Sequence, residues 1–272
     1  MVRQSALCSV LVLAATFLTL THAVTFEEPE GRLVSVSVGP SGVWGANANN
    51  TVYYREQSFR YPTRQGSDWI KIPGDLKQVD VGTNIVWGVN SADDIYYRIG
   101  CTQKNPSGVA WVQVEGALKH VSVSPWGSVW GVNSNGDINY LEGASLCDPA
   151  GIDWLKVSGS LSQISAGYAG VWGVNARNDV FYRTGTCCDT GAMGDDWIKV
   201  DNKKLKYVSS GDGQVLALDK WGKIFRREGV SSSNPIGTAW RIVDPKKLMA
   251  IDSYGVIFWG VDDTDKIFLA TM

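Results

Sequence analysis

The sequence predicts an all-β fold: a six-bladed β-propeller of four-stranded antiparallel blades, its ring closed by the N-terminal strand of the mature chain. Three observations predict it. The segments Val43-Trp44-Gly45, Val86-Trp87-Gly88, Val129-Trp130-Gly131 and Val171-Trp172-Gly173 recur at steps of 43, 43 and 42 residues, and the series continues in degraded form at Leu216 and Trp259. A second ladder, Trp69, Trp111, Trp154, Trp197 and Trp240, keeps step with the first at 42, 43, 43 and 43 residues. Each period holds four short apolar runs separated by Gly, Asn, Asp and Pro, which is the signature of strands and turns rather than helices.

The elements follow in chain order. Residues 1–23 carry Arg3, the apolar run Leu7 to Leu20 and small residues before the end, and are read as a cleaved secretory signal, too short to span a bilayer. The mature chain, 24–272, then forms one propeller domain. In the second repeat the predicted strands are Leu76–Val81, Ile85–Asn90, Asp94–Arg98 and Ala110–Val114. Strands such as Val86-Trp87-Gly88-Val89 are apolar on both faces, so each small sheet is covered on both sides, as a blade between two blades is. One period before Trp69 lies Phe26, whereas the sixth repeat stops at Met272 before a fourth strand. Residues 24–28 are therefore expected to supply the outer strand of the last blade, leaving no open radial seam. The glycine after each tryptophan is expected to let a bulky side chain of an adjacent blade approach the backbone.

Composition excludes several classes. With 25 Lys+Arg against 27 Asp+Glu the chain lacks the basic balance of a phosphate-tracking protein, so no nucleic-acid partner is expected. No later segment could span a membrane as a helix. Removal of the leader leaves His120 as the one histidine, and no Gly-x-Ser-x-Gly, His-Glu-x-x-His or phosphate-binding glycine loop is present, so no enzyme is expected. Paired carboxylates such as Asp93/Asp94 and Asp195/Asp196 point to opposite sides of a strand and cannot form a glycosidase dyad. No cofactor is predicted; calcium at Asp262, Asp263 and Asp265 is chemically conceivable but not part of the prediction. Cys101, Cys147, Cys187 and Cys188 suggest two disulfides, with three pairings open, one of them needing a vicinal bridge. Asn49-Asn50-Thr51 is a glycosylation acceptor on a hairpin tip.

The run Val-Trp-Gly-Val-Asn is intact at 86–90, 129–133 and 171–175, and at 94–98 it leads into Asp-Ile-Tyr-Tyr-Arg. It follows Trp111, Val114, Gly116, Leu118, Val121 and Ser122 in the preceding part of the unit. This repeat resembles the tectonin repeat, and the whole mature chain resembles the secreted fish-egg lectins and the related horseshoe-crab lectins. The resemblance implies a six-bladed propeller that binds glycans bearing N-acetylglucosamine or related sugars, including bacterial lipopolysaccharide, and serves innate defence. A homodimer would widen its footprint.

A sugar site needs aromatic faces for the C–H side of the ring and planar amide, carboxylate or guanidinium groups for its hydroxyls. Candidates repeat through the blades: Trp44, Asn47 and Arg55; Trp87, Asn90, Asp94 and Arg98; Asn133 and Asp137; Trp172, Asn175, Asp179 and Arg183; and Arg227. The arginine position becomes Leu141 in the third blade and Ala270 in the sixth, so a partial set of sites is expected. Each candidate has a structural alternative. Repeated tryptophans hold blades together, Asn and Asp cap hairpin turns, and the arginines can pair with a neighbouring acid. Trp126 and Trp221 stand outside both ladders, each beside a turn glycine, as binding platforms or as caps of a blade edge. The functional reading is a secreted, multivalent carbohydrate-binding protein; its alternative is a non-catalytic egg-coat or extracellular interaction scaffold.

Overall fold

The computed structural model describes residues 24–188 and 191–272, so the predicted leader lies outside the described residues. Six four-stranded antiparallel sheets form the blades: 35–75, 78–114, 120–160, 163–204, 207–244, and 250–271 together with 25–27. In each blade the chain runs outward from the axis through consecutive neighbours. The last blade is completed by Thr25–Glu27, which pairs antiparallel with Ile267–Thr271 and sets Phe26 opposite Ala270. The ring closes through Thr25–Glu27, as the repeat count predicts. In the second blade the strands are Gln78–Val81, Val86–Val89, Ile95–Ile99 and Ala110–Val114, within two residues of the expected bounds.

The two tryptophan ladders meet each other across the blade interfaces. Trp69 packs edge-on against Trp259, Trp111 against Trp44, Trp197 against Trp130 and Trp240 against Trp172, with ring centroids 6.2–6.4 Å apart. Trp154 joins the cluster around Trp87. In the last interface Phe26 takes the outer position, 5.9 Å from Phe258, in the cluster that holds Leu216. Each indole thus buries a large apolar area between two sheets, and its period equals that of the sheets. The glycine after each inner tryptophan has a different neighbour from the one expected. A Cβ at Gly131 would stand 2.3 Å from Leu118, the leucine at the entrance to the same blade, rather than against an adjacent blade.

Two hydrogen-bonded belts tie the blades. Ser37, Asp80, Ser122, Ser165, Ser209 and Asp252 hold one equivalent position in the innermost strands. Each side-chain oxygen accepts the next blade's backbone N–H, from Val81, Val123, Ala166, Ser210, Ser253 and, closing the circle, Val38, at 2.6–3.0 Å. Nearer the hairpin end, the N–H of Leu33, Leu76, Leu118, Leu161, Leu205 and Leu248 donates to the preceding blade's hairpin carbonyl at Asp265, Asn50, Asp93, Gly136, Asn178 and Gly222, at 2.9–3.0 Å. Such bonds satisfy polar groups that burial would otherwise strand. Along the axis the space beside Asp80 and Asp252 is ≈ 30 Å³, room for a water or two rather than a ligand.

The cysteines depart from expectation. Cys187 and Cys188 are bonded to each other, while Cys101 lies buried between the first two blades and Cys147 is exposed, both as free thiols. One disulfide replaces the expected two, because Cys101 is enclosed among Tyr54, Phe59 and Trp44.

Candidate functional site

The predicted site residues divide between the two ends of each blade. Asn90 and Asp94 flank the turn after the second strand, whereas Arg98 sits at the far end of the third, opposite Trp111. The grouping of tryptophan, amide, carboxylate and guanidinium in one niche per blade is therefore not what the fold builds. Trp44, Trp87 and Trp172 are fully buried between blades and offer no face to a ligand.

Arg55, Arg98, Arg183 and Arg227 are 1–5% exposed, each with its guanidinium 5.2–5.6 Å over the ring of its cross-strand partner, Trp69, Trp111, Trp197 or Trp240. Their Nε groups donate to the carbonyls of Gln65, Ser107, Met193 and Ile236, at 2.6–3.0 Å, in the loop that joins the third and fourth strands. Arg55 also pairs with Glu30 and Arg227 with Asp201. Burial pushes Arg98 and Arg183 below the ordinary arginine range. These arginines clamp loops onto the sheet edge by stacking and hydrogen bonding.

At the other end, Asn47, Asn90, Asn133 and Asn175 cap their own turns: each Oδ1 accepts two backbone N–H groups, at 2.8–3.0 Å. The free amide end differs between blades. Asn90 Nδ2 donates to Asp94 at 2.8 Å and Asn133 Nδ2 to Asp137 at 3.1 Å. Asn175 Nδ2 makes no such bond among the described residues; there Asp179 Oδ1 binds Lys199 at 2.8 Å and Lys204 at 2.6 Å, with Arg177 beyond. These lysine hydrogen bonds hold the Asp179 carboxyl far below its ordinary range, and a bond from Lys156 lowers Asp137. Asp262 likewise caps its turn, and no three acidic, His or Cys side chains converge as metal ligands among the described residues.

A concave site opens where Asn175 stands. A cleft of ≈ 400 Å³ between the third and fourth blades is lined by Ile138, Ser160, Asn175, Arg177, Phe181 and Trp197. The packing beside it is locally looser. Trp69, Trp111 and Trp154 each donate Nε1 to a carbonyl of the preceding blade, at Glu30, Pro73 and Glu115, at 2.8–2.9 Å. Trp197 Nε1 and Trp240 Nε1 are buried with no partner, and Trp197 Nε1 lies 3.7 Å from the Cβ position at Gly159, against 2.8–3.3 Å for Trp111, Trp154 and Trp69 at Gly74, Gly116 and Gly31. The cleft thus combines an aromatic wall, an amide without a side-chain partner among the described residues, a hydroxyl and an exposed guanidinium, at a size within the usual range for small-molecule sites. Phe181, Trp197, Ser160 and Arg177 were not among the sequence candidates. Alternation along 179–183, which turns Phe181 to the same face as Asp179, could have nominated the first of them.

A tectonin-domain profile matches residues 56–263. The chain belongs to the tectonin family. This tectonin is 30% identical over 243 residues to the Perivitellin-2 31 kDa subunit of Pomacea maculata, covering 87% of this chain and 84% of that one. Among solved structures it is similar to U3-55K, with a TM-score of 0.58 at 6% identity, covering 91% of this chain and 98% of that one. It is also similar to the Cps50 (Swd1) β-propeller domain of Myceliophteria thermophila, with a TM-score of 0.54 at 8% identity over 88% and 83%. At such identities these two show the propeller architecture alone. No helix among the described residues is long and apolar enough to cross a membrane.

Proposed function

We propose that this tectonin is a secreted carbohydrate-binding protein that takes a sugar in the cleft between its third and fourth blades. The observation that carries this reading is a cleft in which the Phe181 ring faces the Asn175 amide, the Ser160 hydroxyl and the exposed guanidinium of Arg177. A pyranose sets its C–H face on the phenyl ring and accepts from the amide and Arg177, while Ser160 serves as donor or acceptor. The ligand class is N-acetylglucosamine or a related sugar on microbial or egg-surface glycans, lipopolysaccharide included, with innate defence as the setting. Membership of the tectonin family supports the class. Binding needs no metal and no turnover.

A shallow site of this kind binds a free monosaccharide at Kd ~1 mM, and display of repeated copies, as on a homodimer facing an array, gains ~10²–10⁴-fold by avidity. The candidate residues differ from blade to blade, Leu141 and Ala270 standing at the arginine position of the third and sixth, so a partial set of sites is proposed. The test is a titration with N-acetylglucosamine followed by NMR. Saturable shifts that vanish in Phe181→Ala and weaken in Asn175→Ala are expected; an unperturbed spectrum, or binding indifferent to Phe181→Ala, would overturn the assignment.

A second reading is favoured by the name of the relative, which is a subunit: an extracellular interaction scaffold that works within a larger assembly. Competition separates the two, because a scaffold's capture of its partner is indifferent to free N-acetylglucosamine.

A further inference from the structure

The six hairpin tips at the outer end of the second strand present Asn49, Ala92, Asn135, Arg177, Trp221 and Thr264 at one equivalent position. The fifth tip alone carries a large apolar side chain. Trp221 is 61% exposed, yet its backbone is pinned, since Asp219 Oδ1 accepts the N–H groups of Trp221 at 2.9 Å and Lys223 at 3.0 Å. Gly222 abuts Leu248, whose neighbour Met249 is 50% exposed. Around this pair stand five lysines. Lys220 Nζ lies 4.3 Å from the centroid of the Trp221 ring, Lys206 Nζ 3.6 Å from Met249 Sδ, and Lys246 Nζ 3.7 Å from the Phe268 ring centroid, while Lys223 and Lys247 stand two residues along the chain from Trp221 and Met249. None of the five has a carboxylate partner among the described residues. The nearby carboxylates Asp219 and Asp244 accept backbone N–H groups of their own turns. Of the acids that follow, Glu28 pairs with Lys266, and Asp262, Asp263 and Asp265 belong to the sixth hairpin.

We propose that this hairpin face of the fifth and sixth blades docks on an anionic lipid bilayer, Trp221 and Met249 entering the headgroup layer while the lysines meet the lipid charges. A soluble polyanion would be met by the lysines alone and gains nothing from an indole and a thioether held out into water. An interfacial tryptophan ringed by snorkelling lysines is what a bilayer surface rewards. Trp221 and Arg177 share the equivalent hairpin position, so the cleft between the third and fourth blades opens toward the same side. Docking would bring it within reach of glycans on that surface.

The test is co-sedimentation of the whole protein with phosphatidylcholine vesicles, with and without phosphatidylserine, at low and high salt. Retention by the phosphatidylserine vesicles only, weakened by salt, is expected. Trp221→Ser and Lys220→Glu should each lower it by about fivefold or more while thermal melting and the N-acetylglucosamine titration stay unchanged. Both side chains are exposed and outside the core, so folding is not at stake. No retention, retention equal in the variants, or capture by heparin with vesicles ignored would each overturn the proposal. None of these outcomes bears on the sugar cleft, which the titration reads separately.

Discussion

Asp80 and Asp252 meet across a single serine hydroxyl: Ser37 Oγ lies 3.3 Å from Asp80 Oδ1 and 2.8 Å from Asp252 Oδ2. Ser37 also accepts the N–H of Val81 and has one proton to give. That proton serves Asp252, so the contact to Asp80 is a hydrogen bond when Asp80 itself is protonated and donates to the serine. Burial pushes both carboxyls up, with mutual repulsion second for Asp80, which reaches about 8; the Tyr207 phenol beside them is raised too. Both effects favour keeping a proton on this pair well above the ordinary carboxylate range.

A folded-state value above the unfolded 3.8 means that the contribution of Asp80 is complete below about pH 4 and is lost as pH rises toward 8. Asp80→Asn keeps the acceptor, supplies the donor toward Ser37 without a titration, and should flatten that loss. Relative to the unmodified protein, the variant is expected to gain roughly 5 °C in Tm at pH 9 over its difference at pH 5. Lowered carboxyls such as Asp93, Asp137 and Glu30 run the other way around pH 4, which is why the difference between the two proteins is the quantity to follow. Parallel Tm profiles would show that the belt is charged throughout.

The clamping arginines carry the opposite expectation from a sugar contact. Arg98→Ala removes the stack on Trp111 and the bond to Ser107 and leaves a gap at the sheet edge. A loss of about 1–3 kcal/mol in urea unfolding is expected, with the sugar titration unaffected. Weakened glycan capture at unchanged stability would return Arg98 to the binding surface.

Much of the fold was legible because a propeller repeats its core. Two ladders of tryptophan at one period gave the blade number, and the phase of Phe26 against Trp69 gave the closure. The inner belt was equally periodic, yet nothing in a strand residue such as Asp80 marks its side chain as the acceptor of the next blade's backbone N–H until the axis is seen. The site was less legible for a physical reason. A niche inferred from residues at 87, 90, 94 and 98 ignores that four strand residues span about 13 Å, which puts the amide and the guanidinium at opposite ends. At the cleft Trp197 stands slightly farther from its glycine, Gly159, than Trp69, Trp111 and Trp154 do from theirs, and no pattern of residue types encodes that displacement.

Closure by Phe26 makes a stability prediction. Its ring packs on Phe258 and, at 6.3 Å, on Phe268, under the ammonium of Lys246. Phe26→Ala is expected to cost about 2–4 kcal/mol and to raise hydrogen exchange first in Ile267–Thr271, the strand that Thr25–Glu27 covers. Exchange rising evenly over all six blades would mean that the ring unfolds as one unit rather than from its seam.

The two free thiols should differ sharply in reactivity. Burial pushes the Cys101 thiol up to about 11, whereas Cys147 is exposed. Alkylation of the native protein at pH 8 is expected to label Cys147 alone, and unfolding without reductant to expose a second thiol, Cys101, while Cys187 and Cys188 stay unlabelled until reduced. The order follows from access: the Cys101 sulfur is enclosed by the interface between the first two blades, so its labelling rate reports the opening of that interface. Unfolded protein with no reactive thiol would establish a bond between Cys101 and Cys147, and the loops that carry them would then be tied across the second and third blades.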